Sequence, residues 1–199
     1  MLVAEPAWGG PARVKMRPMN VIQTEIHDAL ILEPKVFGDA RGFFLESYNQ
    51  RMLAEEAGIR AAFVQDNHSR SVRGVLRGLH YQLQQPQGKL VRVASGAVFD
   101  VAVDIRRSSP TFGKVACVEL SDENQRMFWL PPGLAHGFLV ISDSADFLYK
   151  TTDYYAPEHE RCIAWNDAEL AIPWPLEGVP TLSAKDGKGV PLAVAELYP

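Results

Sequence analysis

The feature of this sequence that most restricts its fold is a series of short β-type segments separated by turn residues. In the clearest of them the large apolar side chains Phe99, Val101, Val103 and Ile105 occupy every second position. A period of two is that of a β-strand. Segments of the same kind occur at 29–33, 114–120, 126–130, 136–141 and 147–151. Turn residues divide them, so the sequence predicts a closed or two-sheet β-structure.

The sequence predicts few helices. The stretch 50–57 is rich in good helix formers and is followed by Gly58, a residue that is common just past a helix end. Strands do not alternate with long helices, and no glycine-rich phosphate loop follows a strand, so a parallel nucleotide-binding fold is disfavoured. We therefore predict a mainly β protein, a jelly-roll barrel with a few short helices.

The 199 residues are enough for one sizeable domain. Residues 1–18 combine prolines, glycines and mixed charge without periodicity, which predicts a flexible leader and makes Met19 a candidate for the natural start. We expect residues 19–199 to form the single domain. Its Pro-rich end, from Pro173, carries apolar anchors such as Trp174, which favours an ordered coil around the barrel over a disordered tail.

Charge and hydropathy argue against several classes of protein. The net charge is −4, and no dense block of Lys and Arg occurs, so we expect no nucleic-acid partner. No run approaches the roughly 20 apolar residues of a membrane-spanning helix, and no secretory signal is evident, so we expect a cytoplasmic protein with no membrane contact. The two cysteines, Cys117 and Cys162, suit small buried apolar side chains and not a disulfide framework.

Histidine is scarce, with five in the chain, and two of them stand out. His80 lies in RGLHYQ, where strand alternation separates it from Arg77 unless the strand is locally irregular. His136 lies at the mouth of a strand, just after a tight turn. A lone strand histidine is more often structural than catalytic, so both interpretations stay open here. A metal site is disfavoured, because no His-x-His pair or cysteine cluster supplies neighbouring ligands.

Several motifs occur together over most of the chain. They are GVLRGLHYQ (74–82), GKLVRV (88–93), GAVFDVAVD (96–104), SPTFG (109–113), PGLAHGF (132–138), FLYK (147–150) and SAKD (183–186). In residues and order they resemble the dTDP-4-dehydrorhamnose 3,5-epimerases, over roughly residues 20 to 187. Each motif alone is moderately specific, but such a collinear succession is hard to obtain by chance.

The resemblance implies a cupin-type jelly roll, also called a double-stranded β-helix, that forms a homodimer and uses no cofactor and no metal. It implies an isomerase that inverts C3 and C5 of a dTDP-linked 4-keto-6-deoxyhexose in dTDP-L-rhamnose biosynthesis. It assigns catalysis to four residues, with His80 as the base and Asp186 as its hydrogen-bonding partner. Lys89 is expected near the ketone, and Tyr149 is expected to return the proton from the opposite face.

The resemblance also implies a nucleotide-sugar site. The residues that it assigns to this site are Arg41, Phe44, Glu46, Gln65, Asn67, Arg77, His136, Tyr155, Glu160 and Lys185. Among them Tyr155 is expected to stack on thymine, and Phe44 is expected in the same region. The planar fork of an arginine suits a diphosphate.

These residue types suit the reaction. A proton beside a ketone is weakly acidic, so the enolate oxygen needs donors, which Lys89 and His136 can supply. Histidine can accept the proton near neutral pH, with a carboxylate behind it to set its tautomer. Inversion needs an acid on the other face, and a tyrosine hydroxyl can donate and recover a proton. Two alternatives stay open: a single-site epimerase of an antibiotic deoxysugar pathway, and a non-catalytic sugar-binding cupin.

Overall fold

The computed structural model describes residues 19–199, so the predicted leader at 1–18 lies outside the described residues. The described chain forms thirteen β-strands, one α-helix and three short 3-10 turns. The strands are β1 (Met19–Gln23), β2 (Leu30–Pro34), β3 (Phe37–Asp39), β4 (Gly42–Phe44), β5 (Gln65–Val72), β6 (Leu76–Gln82), β7 (Lys89–Ser95), β8 (Ala97–Asp104), β9 (Val115–Ser121), β10 (Met127–Leu130), β11 (Leu134–Val140), β12 (Ser144–Thr151) and β13 (Glu160–Cys162). The helix α1 spans Gln50–Glu56, and the 3-10 turns span Pro157–His159, Asp186–Lys188 and Leu192–Val194.

Two antiparallel sheets contain most of these strands. One has six strands in the order β1-β2-β10-β7-β12-β5, and the other has five in the order β13-β6-β11-β8-β9. The strands β3 and β4 form a separate hairpin. Many neighbours within each sheet are far apart in sequence, because the chain passes repeatedly from one sheet to the other, as in a jelly roll. The prediction of a mainly β jelly roll is confirmed.

The main core fills the space between the two sheets. Val91 and Phe147 enter it from the six-stranded sheet, and Val98 and Phe138 enter it from the five-stranded sheet. The rings of Phe138 and Phe147 stack with their centroids 4.2 Å apart. A fully buried side chain of this size contributes about 1.5–3 kcal/mol, so this core holds the two walls of the barrel together.

The strand β8 confirms the strand predicted at 98–105, but both of its faces are buried. Val98 points into the core between the sheets, whereas Val101 lies in a second apolar cluster on the outer side. This second cluster includes Trp174 and Leu192, which belong to the C-terminal coil. The sequence therefore shows two apolar faces here because the end of the same chain packs over the outer one.

The helix α1 confirms the helix predicted at 50–57. The side-chain oxygen of Asn49 caps its start by accepting a hydrogen bond of 3.2 Å from the N–H of Met52. It ends before Gly58, whose φ of +71° suits a residue without a Cβ. Within 19–199, no helix combines the length and the apolar character needed to cross a bilayer.

The prediction that the two cysteines are buried is wrong. Cys117 is exposed because β9 is an edge strand whose side chains alternate, and its neighbours Ala116 and Val118 take the positions that face the core. Cys162 is only partly buried, on β13 opposite His80. Apolar neighbours on both sides of a strand residue therefore argue against its burial, because successive side chains point to opposite faces.

Candidate active site

A cavity of about 320 Å³ opens between the two sheets and contains most of the predicted site residues. The predicted residues that line it are Gln65, Asn67, Arg77, His80, Lys89, His136, Tyr149, Tyr155, Glu160 and Lys185. These residues come from segments far apart in the sequence, from Gln65 to Lys185, and the sheet topology brings them together. A concave site of this size with several converging polar groups is typical of a small-molecule pocket.

The two catalytic candidates enter this cavity from facing walls. Tyr149 belongs to β12 of the six-stranded sheet, where it pairs with Asn67 on one side and Val91 on the other. His80 belongs to β6 of the five-stranded sheet, where it pairs with His136 of β11. Both side chains line the same cavity. A ligand between the sheets therefore has the histidine on one side and the tyrosine hydroxyl on the other.

A local irregularity in β6 places Arg77 and His80 in one cavity, as the sequence analysis requires. The pairing of β6 with β11 shifts register, so that three steps along β6 oppose two along β11. The shift falls at Gly78, whose φ is +121° and where an added Cβ would lie 2.5 Å from the Cα of Gly137. No other residue type fits this backbone conformation and this close approach without strain.

Asp186 lies behind His80 and outside the cavity. Its Oδ1 is 2.6 Å from Nε2 of His80, and the carboxylate is almost fully buried. The N–H of Gly78 donates to the same carboxylate at 3.1 Å, and the hydroxyl of Ser183 donates to it at 2.5 Å. Burial raises the pKa of Asp186, but the adjacent His80, followed by Ser183 and Gly78, outweighs burial and holds this pKa well below its usual range. The carboxylate is therefore ionised and can stabilise positive charge on the histidine.

The contact between these two groups is short but is not well aligned as a hydrogen bond. Nε2 of His80 is buried and has no well-directed hydrogen bond to any residue within 19–199, although the carboxylate lies so close. Once the ring has taken up a proton, its charge-charge attraction to the carboxylate tolerates such misalignment, whereas a hydrogen bond weakens with it. Because Nε2 faces Asp186, Nδ1 is the ring nitrogen left to exchange a proton with a ligand.

A second buried histidine-carboxylate pair lies beside the first and was missed by the sequence analysis. Nε2 of His136 is 2.9 Å and 3.0 Å from the two carboxylate oxygens of Asp100. Burial lowers the pKa of His136, and the charge of Asp100 opposes this effect. A signal that could have found Asp100 is that it shares one face of β8 with Val98 and Ala102, because a carboxylate among buried apolar side chains needs a partner.

Lys89 projects from β7 into the cavity. Burial lowers the pKa of its ammonium group to about 8, and the charge of Asp100 limits the decrease. The group is therefore still mainly protonated at neutral pH and can donate to a developing oxyanion. Burial raises the pKa of Tyr149, so its hydroxyl remains protonated and can act as an acid.

Polar residues at the edge of the cavity form a connected group. The hydroxyl of Tyr155 donates to Glu160 at 2.9 Å, and the ammonium of Lys185 lies 2.7 Å from the other oxygen of that carboxylate. The backbone N–H of Tyr155 donates to Gln65 at 3.1 Å, and Gln65 donates to Asn67 at 2.8 Å. These bonds fix the ring of Tyr155 at the cavity wall while half of it remains exposed.

Three of the residues predicted for the nucleotide-sugar site do not line the cavity of their own chain. Arg41 and Phe44 belong to the β3-β4 hairpin, where Arg41 pairs with Asp39 at 2.5 Å and Phe44 is 65% exposed. Glu46 follows the hairpin and accepts a hydrogen bond of 3.1 Å from Asn49. Their assignment to the nucleotide-sugar site stays a prediction.

The cavity also has polar and aromatic lining residues that the sequence analysis did not name. They are Ser69, Tyr81, Gln82, Gln87, Phe138, Phe147 and Tyr198. Ser69 could have been found, because it follows Gln65 and Asn67 at a period of two on β5. Tyr198 carried no sequence signal, since it lies beyond every motif.

One group of side chains has the composition of a metal site. Ligand atoms of His80, Cys162 and Asp186 lie within 4.8 Å of one another. Oδ1 of Asp186 is 2.6 Å from Nε2 of His80, whereas two ligands of one tetrahedral zinc ion stand about 3.3 Å apart. The carboxylate also accepts bonds from Gly78 and Ser183. The geometry is that of a carboxylate that orients a histidine.

Comparison with known proteins gives a consistent family. The family model described as dTDP-4-dehydrorhamnose 3,5-epimerase matches residues 23–193. The chain is 61% identical to the dTDP-4-dehydrorhamnose 3,5-epimerase of Pseudomonas aeruginosa, over 91% of this chain and 100% of that protein. It is 58% identical to the dTDP-4-dehydrorhamnose 3,5-epimerase of Shigella flexneri, over 90% of this chain and 99% of that protein.

A solved structure agrees with these relatives. The dTDP-6-deoxy-D-glucose-3,5-epimerase of Legionella pneumophila, in complex with dTDP-4-keto-L-rhamnose, is similar with a TM-score of 0.88 and 56% identity. The similarity covers 90% of this chain and 97% of that one. A match of sequence and fold over nearly the whole length leaves one assignment, and this chain belongs to the dTDP-4-dehydrorhamnose 3,5-epimerase family.

Proposed function

We propose that this chain inverts C3 and C5 of dTDP-4-keto-6-deoxy-D-glucose, as an isomerase that supplies dTDP-L-rhamnose. The observation that carries the proposal is that His80 and Tyr149 enter one cavity from facing sheets. Both carbons flank the C4 ketone, so one enolate oxygen and one pair of proton-handling groups can serve both inversions. The family membership supports the same reaction.

In the first step His80 removes the proton beside the ketone. Asp186 holds Nε2 at 2.6 Å, so Nδ1 accepts the proton and the imidazolium is stabilised by the buried carboxylate. The electron pair of the broken C–H bond moves to the C4 oxygen and forms an enolate. A carboxylate that sets the tautomer and offsets the new charge is the usual partner of a histidine base.

The enolate oxygen is stabilised by Lys89. Its ammonium, with a pKa of about 8, is present at neutral pH and sits in a buried site where charge interactions are strong. His136 suits this role less, because its Nε2 is engaged by Asp100 and burial favours its neutral form. A neutral His136 offers an acceptor nitrogen, which suits a sugar hydroxyl.

Tyr149 completes each inversion. Its raised pKa keeps the hydroxyl protonated until the enolate forms. The proton then passes to carbon from the wall opposite His80, the ketone is restored, and the stereocentre is inverted. The tyrosinate recovers a proton from solvent, and the imidazolium loses the one that it took.

We further propose that the nucleotide lies across Tyr155 and that the enzyme is a homodimer. The phenylalanines of the β3-β4 hairpin, Phe37, Phe43 and Phe44, are all more than half exposed. Such a cluster of exposed aromatic side chains is typical of an interface. Arg41 and Phe44 do not line the cavity of their own chain. In a dimer they would contribute to the cavity of the second copy.

Turnover in heavy water tests the reaction. The product should carry two carbon-bound deuterons, one at C3 and one at C5, measured by mass spectrometry. A deuteron at C3 alone would assign the chain to the single-site epimerases. The His80→Ala variant should still bind dTDP but exchange no proton, whereas the wild type exchanges protons. A non-catalytic sugar-binding protein would show no exchange even in the wild type.

The dimer has its own test. Light scattering should give twice the chain mass of 22.1 kDa, and a monomer at assay concentration would refute the dimer. If the hairpin serves the partner's cavity, a mixture of inactive His80→Ala and Arg41→Ala chains should regain activity, because each mixed dimer contains one intact site. No recovery on mixing would show that Arg41 serves its own chain or no site.

A further inference from the structure

The last residues of this chain lie beyond the family match, which ends at residue 193, yet one of them lines the candidate active site. That residue is Tyr198. It lies outside every motif of the sequence analysis. The end of this chain therefore contributes to the cavity from beyond the residues that the family model matches.

Tyr198 is held by contacts on both of its sides. The carbonyl of Glu196 accepts a hydrogen bond of 2.5 Å from the hydroxyl of Tyr81. The carbonyl of Tyr198 accepts one of 3.1 Å from the N–H of Arg107. The rings of Tyr81 and Tyr198 meet edge to face with centroids 6.1 Å apart. A segment held at several points orders its side chains in a way that a free terminus does not.

The hydroxyl of Tyr198 donates to the backbone carbonyl of Gln82. Gln82 is only 4% exposed, so water cannot easily replace this bond. Its side chain in turn holds the segment around Tyr155. The Oε1 atom accepts from the N–H of Ala156 at 2.9 Å, and the Nε2 atom donates to the carbonyl of Tyr154 at 3.2 Å.

We propose that Tyr198 is a positioning residue for the wall of the cavity that receives the nucleotide base. By holding the backbone of Gln82, Tyr198 fixes the two side-chain hydrogen bonds of Gln82 that keep the segment around Tyr155 in place. The inference rests on the proposed function only in taking Tyr155 as the residue that meets thymine. Because Tyr198 acts on this wall and not on His80 or Tyr149, its loss weakens binding and spares the chemical step.

The test is the affinity of Tyr198→Phe for dTDP, measured by calorimetry, together with KM and kcat for the keto sugar. The dTDP Kd and KM should rise about 2- to 10-fold, the effect of one buried hydrogen bond, while kcat is maintained. Ser108→Ala is the matched control. It removes a hydrogen bond of 3.1 Å from the same terminus, to the carbonyl of Pro199, and should leave the dTDP Kd unchanged.

The same substitution in a Tyr155→Ala variant distinguishes a role of Tyr198 in positioning Tyr155 from a general effect on stability. In Tyr155→Ala the positioned ring is absent, so adding Tyr198→Phe should change the dTDP Kd by less than about 2-fold, because coupled residues are not additive. A merely structural role would lower the melting temperature in both backgrounds and leave the dTDP Kd unchanged in both. That result, or an equal loss of affinity in both backgrounds, would overturn the proposal.

Failure of the proposal differs from failure of the proposed function. Calorimetry with dTDP requires no turnover, so it reports on Tyr198 whether or not the wild type epimerises the keto sugar. A wild type that binds dTDP but incorporates no deuterium overturns the epimerase assignment alone. A wild type that incorporates two deuterons, with an unaltered Kd and KM in Tyr198→Phe, overturns the role of Tyr198 alone.

Discussion

Replacing Asp186 by asparagine should remove most of the activity while substrate binding is kept. The carboxylate lies 2.6 Å from Nε2 of His80, is nearly fully buried and does not line the cavity. The variant therefore leaves the cavity walls in place. It removes the negative charge that stabilises the imidazolium of His80. This imidazolium forms only when the base takes the proton, so the loss affects the chemical step and not substrate binding.

The size of the effect follows from this contact. The centres of the two charged groups lie about 4 Å apart, which corresponds to about 4 kcal/mol at an effective dielectric constant of about 20. The side chain of His80 is 22% exposed, so solvent screening reduces this value. Since each 1.36 kcal/mol is about tenfold in rate, we expect kcat to fall by about 10²- to 10³-fold, with KM within about threefold.

Deuterium incorporation measures kcat and KM for wild type and variant. Asp146→Asn is the matched control. Asp146 is also a buried carboxylate beside a histidine, at 2.9 Å from Nε2 of His68, and its donors lower its pKa to about 2. It lies away from the cavity, so its variant should lose stability and keep kcat. A kcat of Asp186→Asn within threefold of the wild type would refute the reasoning.

The pH dependence of stability checks that the carboxylate of Asp186 is ionised. Its pKa is depressed in the folded state, so the unfolded chain binds its proton more readily. The corresponding stability is present above the ordinary carboxyl pKa, about 4, and is lost as pH falls. Urea unfolding between pH 6 and pH 3 should therefore show a smaller loss of stability for Asp186→Asn than for the wild type.

Four further outcomes are expected. Tyr149→Phe should abolish inversion but still allow exchange of the substrate protons with deuterium from solvent, seen by mass spectrometry; full inversion in this variant would exclude Tyr149 as the acid. Activity should fall as pH rises through about 8, where Lys89 loses its proton, and Lys89→Arg should move this decrease to higher pH in the pH-rate profile. Asp100→Asn should cost about 1–3 kcal/mol in urea unfolding, because it leaves a buried histidine poorly paired, and unchanged stability would contradict this role. Gly78→Ala should destabilise the protein far more than Gly113→Ala, because both have positive φ but only Gly78 has backbone within 3 Å of an added Cβ, and equal melting temperatures would refute the steric argument.

Local pattern was enough to predict many elements of this protein. The strand at 98–105 follows from the period of its apolar residues, and the helix at 50–57 follows from its good helix formers and from Gly58, which are properties of neighbouring residues. The need for an irregularity between Arg77 and His80 also followed from strand alternation, and Gly78 supplies it. The family motifs then named most of the residues that line the cavity.

Other features depended on contacts between distant segments. The partner of His136 is Asp100, 36 residues away, and the pattern around either residue does not indicate the other. The position of Tyr198 in the cavity wall depends on its contact with Gln82, 116 residues earlier. The burial expected for Cys117, by contrast, was wrong on local grounds, because its apolar neighbours point to the other face of the strand.

The sequence by itself therefore determined many of the strand and helix segments, the fold class and the chemical groups available for proton transfer. Only the tertiary structure decided that Tyr149 and His80 belong to different sheets and enter one cavity from facing walls. The physical reason is that a two-residue period shows only which side chains share one face of a strand. Which faces meet is decided by the order of strands within each sheet and by the packing of one sheet on the other, and these depend on contacts along the whole chain.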